Sequence, residues 1–220
     1  MLTNNIIHMR STRRPKTRKS ITPSQFRNFI FGGRSVFTLE NKGTGNYITF
    51  KIREIKKKGK VVPNQFAVNM KSLGDSDSGY SMLGFLDIAK PSFKAWGHVD
   101  RNHVGYKTLY WLLRNLETLE KFEDLVIYHE GACCKCSMPL TTPESIDKGI
   151  GPVCLDRMLS GSVRTLKDLN LWNDSLSYDD NIRAALKVDP TVWSKVHVPD
   201  YIKIEDDNKG HRLLGRLGIL

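Results

Sequence analysis

All four cysteines of the chain, Cys133, Cys134, Cys136 and Cys154, fall within one stretch of 22 residues. His129 precedes them in His129-Glu-Gly-Ala-Cys-Cys-Lys-Cys136, and Cys154 follows after seventeen residues, behind Gly149-Ile-Gly-Pro-Val. A Cys-x-x-Cys turn brings two sulfurs to one soft dication, which takes thiolate and imidazole ligands in a tetrahedron. Cys133 and Cys136 have that spacing; Cys134 and Cys136 are too close, so Cys134 is the spare thiol. The expected set is therefore His129, Cys133, Cys136 and Cys154 around one Zn²⁺, with His98 and His103 as substitutes for the imidazole. Pro152 suits the first turn of a helix running through Leu155 and Met158, which sets Cys154 at a helix N-terminus where the dipole favours thiolate. Four protein ligands close the shell, so the ion's expected role is structural. A redox pair is the competing reading of Cys-x-x-Cys, and no thioredoxin-like unit surrounds it here.

Charge is the second constraint, because of where it lies. Residues 1–60 carry 15 Lys and Arg against Glu40 and Glu54 alone, a net of +13, and the remaining 160 residues carry −2 of the total of +11. A basic leader of this kind favours a polyanion, since Lys and Arg neutralise phosphates and release counterions. Arg10, Arg13, Arg14, Lys16, Arg18 and Lys19 form a basic arm with few large apolar side chains, expected to be disordered. Lys56, Lys57, Lys58 and Lys60 form a second cluster.

Periodicity supplies the organisation. Thr22-Pro23 opens a short helix through Phe26 and Phe29, ended by Gly32-Gly33. Strand patterns flank the loop around Gly43 and Gly45, and in the second of them Ile48, Phe50 and Ile52 alternate with Tyr47, Thr49, Lys51 and Arg53. That alternation puts Tyr47, Lys51 and Arg53 on an outward face, with Lys56–Lys60 as the next turn. Further strands are expected at 65–71, 80–88 and 93–97, and leucines at helical spacing predict one long helix over 105–121. The fold expected is α+β: a small antiparallel sheet with one long packed helix, a zinc knuckle and a short helical C-terminal region. Its divisions are a disordered basic arm at 1–20, an α+β domain at 21–128, a zinc-binding module at 129–160 and a helical extension at 161–220.

The run from His129 to Cys154 resembles an uncharacterised zinc-motif family of bacteriophage and plasmid proteins. Its pattern is a histidine, Cys-x-x-Cys, a Leu-Thr…Ser segment and Gly-Ile-Gly-Pro-x-Cys. The likeness covers 26 residues closely and leaves out the C-terminal 60. It implies the same four ligands and, for a phage-encoded protein, a place in the host cytoplasm. It implies no activity, because the family has none assigned.

Several classes lack support. No apolar run approaches the roughly 20 residues of a membrane-spanning helix, and the start lacks the basic flank and apolar core of a secretory signal. An intracellular protein without a membrane partner is therefore expected. Walker, Rossmann, Gly-x-Ser-x-Gly and His-Glu-x-x-His motifs are absent. His98, Asp100 and His103 are the nearest approach to a catalytic group and read better as a polar turn. The expected function is nucleic-acid binding, DNA or RNA without sequence preference, through the arm, Tyr47, Lys51, Arg53 and Lys56–Lys60, with no catalysis. The alternative is a module that grips a host or phage protein.

Overall fold

The computed structural model describes residues 19–71, 79–88, 92–97, 99–116, 118–189, 192 and 196–197. Arg10, Arg13, Arg14, Lys16, Arg18 and His98 lie outside them. Seven strands form one sheet: β1 (Lys19–Ser20), β2 (Arg34–Asn41), β3 (Tyr47–Lys57), β4 (Lys60–Lys71), β5 (Tyr80–Asp87), β6 (Ser92–Ala95) and β7 (Leu125–His129). Their spatial order is β1-β7-β2-β3-β4-β5-β6, and every neighbouring pair is antiparallel. Lys19 and Ser20, which the charge pattern assigns to the arm, pair with His129 and Tyr128 at the sheet edge.

The sheet dominates the molecule, which corrects the expected small sheet with one long helix. Two local effects explain the difference. The lysine-rich segment 56–60 is not a broad turn: β3 runs 11 residues and β4 12, joined by Lys58 and Gly59 alone. Both have positive φ (49° and 78°), as a two-residue hairpin loop requires, and this ribbon projects past the core where alternation needs no apolar face. The leucine repeat, in turn, forms only α2 (Val104–Arg114). The Asn115 amide closes that helix onto the Leu112 and Trp111 carbonyls, and Leu119 belongs to a separate 3-10 turn, Leu119–Lys121. The longest helix among the described residues is instead α4 (Pro152–Asp168), 17 residues, just past the cysteine motif.

One face of the sheet carries the core. Phe37, Leu39, Phe50, Ile52, Phe66 and Val68 are buried there beneath α1 (Pro23–Ile30) and α2. Phe26 of α1 meets Phe37 edge-on at 4.8 Å, and α2 adds Leu109, Leu112 and Leu113. Each such side chain contributes about 1.5–3 kcal/mol on leaving water. A second, smaller cluster joins Leu166 of α4 to Ile182, Ala185 and Leu186 of α5 (Tyr178–Val188).

The opposite face is divided. At one end Thr38, Glu40, Tyr47 and Thr49 are buried, with the Thr38 and Thr49 hydroxyls 2.8 Å apart. At the other end Arg34, Arg53, Lys94 and Trp96 are exposed. No helix among the described residues is long and apolar enough to cross a membrane.

Candidate metal centre and cationic sheet face

β7 ends at His129, and the chain then turns at Gly131 (φ +71°) into the cysteine loop. The Cys133 amide donates to Met138 and the Ser137 amide to Cys133, folding 133–138 into a tight knuckle. After α3 (Pro143–Lys148), whose first turn is capped by Thr142, Gly149 takes φ +64° and returns the chain to the knuckle. There its carbonyl accepts from the Cys134 amide at 2.9 Å. Gly151 then caps α4, and Cys154 sits in the first turn of that helix.

This path brings Cys133, Cys136 and Cys154 together, with all three sulfurs within 4.8 Å of one another. Tetrahedral thiolates at ~2.3 Å from a metal stand about 3.8 Å apart, so a small closure of the knuckle fits an ion. Proton energetics agree. Burial pushes the Cys133 thiol up, but hydrogen bonds from the Gly151, Cys136 and Lys135 amides and the Cys136 side chain outweigh it and leave the pKa lowered. Cys154 is pushed up to about 11 by burial and by its thiol neighbours, which overrides the helix-dipole effect expected from its position. A cation bound at the cluster would displace the thiol protons of Cys133 and Cys154 together. Cys136 is exposed, and Cys154 lines a cleft of about 580 Å³ with Lys135, Glu54 and Met158, so the cluster is open to small chelators.

His129 is not part of that group. Its Nδ1 accepts from the Gly131 amide at 3.2 Å, its ring packs 5.5 Å from Phe29, and it is 2 % exposed. A neutral imidazole that accepts at Nδ1 carries its proton on Nε2, which leaves neither nitrogen a spare lone pair. Burial is the main reason its pKa is lowered; the Ile146 carbonyl and Asp147 oppose this, and Lys19 reinforces it. His103, the described substitute, caps α2 by accepting from the Gly105 amide at 3.1 Å, and Asp100 accepts from Asn102. Both belong to a polar turn.

Cys134 is a core side chain. It is buried, its thiol is pushed up to about 12 by burial, and its sulfur fills the space that a side chain at Gly32 would need. Cys133, Cys134 and Ile150 all join the main core, so the knuckle is built into the sheet domain. Lys135 adds an ion pair to Glu54 of β3 at 2.6 Å.

The remaining basic residues take separate positions. Lys56, Lys57, Lys58 and Lys60 are exposed at the tip of the β3–β4 ribbon. Lys51 lies over the Tyr80 ring at 5.0 Å on the open part of the sheet. Tyr47 lies on the expected side of the sheet, opposite the core, but at 7 % exposure it presents no ring to a ligand. Strand register assembles something in its place. Arg34 pairs with Arg53, Arg53 with Ala67, Ala67 with Phe85 and Phe85 with Lys94, a transverse row across β2 to β6. Trp96, 53 % exposed, meets Phe85 edge-on at 5.5 Å beside the end of this row. Arg34, Phe85, Lys94 and Trp96 were not singled out by spacing, because the row exists only once the strands pair.

A family model described as a family of unknown function (DUF6011) matches residues 123–159, from the start of β7 into α4. No curated protein and no solved structure matches the chain.

Proposed function

We propose that this protein binds nucleic acid through the open face of its sheet, with a structural zinc ion in the cysteine knuckle. The observation that carries this reading is the row Arg34–Arg53–Ala67–Phe85–Lys94. Like charges directly opposite on neighbouring strands oppose pairing by a few tenths to about 1 kcal/mol. Neither arginine makes an ion pair within 4 Å among the described residues. A phosphate backbone turns that repulsion into attraction. Lys51, the Lys56–Lys60 tip and Lys19 at the sheet edge add to this charge, and Arg10, Arg13, Arg14, Lys16 and Arg18 carry more of it in the preceding sequence. Zinc is the assignment for the ion because three thiolates select a soft dication over harder cations.

The test is a fluorescence-anisotropy titration of the full chain with a labelled oligonucleotide over a salt series. Phosphate contacts from Arg34, Arg53, Lys51 and Lys94 alone give log Kobs against log[salt] a slope of roughly −3, and the arm steepens it. No binding at low salt, or binding insensitive to salt, contradicts the proposal.

A second reading has its own observation. Met138 and Val153, at 65 % and 62 % exposed, flank the knuckle loop and Cys154 in sequence, and large exposed apolar side chains at such a site suit a protein partner. Recovery of a stable protein complex that survives nuclease treatment and is lost with Met138→Glu favours that alternative.

A further inference from the structure

Resting on the nucleic-acid reading above, we infer that the strand bound is single, laid across β2 to β6 with its bases against Phe85 and Trp96. The charges and the rings lie on the same face in register. Arg34, Arg53 and Lys94 share one transverse row, and Phe85 sits within that row between Ala67 and Lys94. Trp96 stands two residues beyond Lys94, so it projects to the same side as Lys94 and Phe85. Its amide is held by the Leu83 carbonyl at 3.0 Å, which fixes the backbone beneath an indole that is half exposed. A half-exposed tryptophan braced edge-on by Phe85 offers a flat ring at little loss of side-chain freedom. Tyr80, with Lys51 over its ring, continues the aromatic set on the next part of the face. Burial and the nearby Glu130 push the Tyr80 hydroxyl up to about 12, so it keeps its proton and can donate to a phosphate.

A duplex fits this surface poorly. Its base faces are stacked away, so the Phe85 and Trp96 rings gain nothing from it, whereas every unpaired base has a face to offer. The row spans four inter-strand spacings, about 19 Å, which suits a few nucleotides. The surface carries acids too. Glu130 lies near Tyr80, and Asp87 sits two residues along β5 from Phe85, where it accepts from Gln65. Asp87 pairs with Gln65, away from the Arg34–Arg53 pair, whereas Glu130 follows His129, the partner of Phe37, and so lies nearer the arginines; the four cations Arg34, Arg53, Lys51 and Lys94 outnumber these two acids.

The experiment compares labelled oligo-dT of about twelve nucleotides with the same strand annealed to oligo-dA, on the whole 220-residue chain at one low salt concentration. Wild type is expected to bind the single strand at least tenfold more tightly and to show quenched tryptophan emission. Trp96→Ala should weaken single-strand binding by about 5- to 150-fold, the range for one lost stacking partner, while duplex binding moves little. Trp96→Phe should recover most of the loss, and circular dichroism should match wild type for both variants because the side chain is not part of the core. Equal or tighter duplex binding overturns the inference, as does unchanged single-strand binding by Trp96→Ala. Failure to bind either form at low salt overturns the nucleic-acid reading itself.

Discussion

The Arg34 amide donates to the Cys134 carbonyl at 2.6 Å, so the cysteine knuckle is bonded to the first residue of the cationic row. The knuckle, β2 and the Arg34–Arg53 pair form one mechanical unit, with Cys134 beneath Gly32 and Lys135 clamped to Glu54. An ion held by Cys133, Cys136 and Cys154 would therefore brace the Arg34–Arg53 pair without lying in the cationic row.

Metal content separates the four thiols. Serine at Cys133, Cys136 or Cys154 should lower zinc from one equivalent per chain to near zero, measured by elemental analysis of untagged protein. Cys134→Ser should keep its zinc but lose about 1–3 kcal/mol of stability, because it buries a hydroxyl in an apolar site. His129→Gln should also retain the metal, as expected for a histidine whose Nδ1 is committed to Gly131.

How much of this is legible in the sequence depends on whether the information is local. Cysteine spacing located the three thiols, and Thr22-Pro23 and the Gly43–Gly45 loop located α1 and the β2–β3 hairpin. Which lone pair of His129 is already taken cannot be read from spacing, since it depends on the turn at Gly131. The cationic row is non-local: Arg34 and Lys94 are joined through four strand pairings. A register shift between Val68 and Asn69 also breaks the simple alternation in β5, so counting along the chain does not reveal which way Phe85 faces. The burial of Tyr47 is illegible for a related reason, because alternation reports sides of a sheet and not which part of a side is open.

Gly149 is the joint between α3 and the knuckle. Gly149→Ala strains a φ of +64° and drives a methyl group into the Phe29 ring. A loss of about 2–4 kcal/mol in urea denaturation is expected, with metal content unchanged in the fraction that folds.

Stability should fall on acidification. His197 has a lowered pKa, first through burial and then through Lys148, and His129 is lowered chiefly by burial. A histidine depressed in the folded state takes up its proton more readily when unfolded. Its contribution is therefore complete above the ordinary value of 6.5 and is lost as pH falls below it towards the folded pKa. The urea midpoint should drop between about pH 7.5 and about pH 5, and His197→Asn should reduce that drop.

The most direct test is to remove the repulsive pair. Arg34→Gln with Arg53→Gln should leave thermal stability unchanged or slightly raised, since like charges face each other there. Oligonucleotide affinity at low salt should nonetheless fall at least tenfold, and the slope of log Kobs against log[salt] should shrink by about 1.4, two phosphate contacts' worth for a single strand. A double variant that binds with wild-type affinity and an unaltered salt slope contradicts the account.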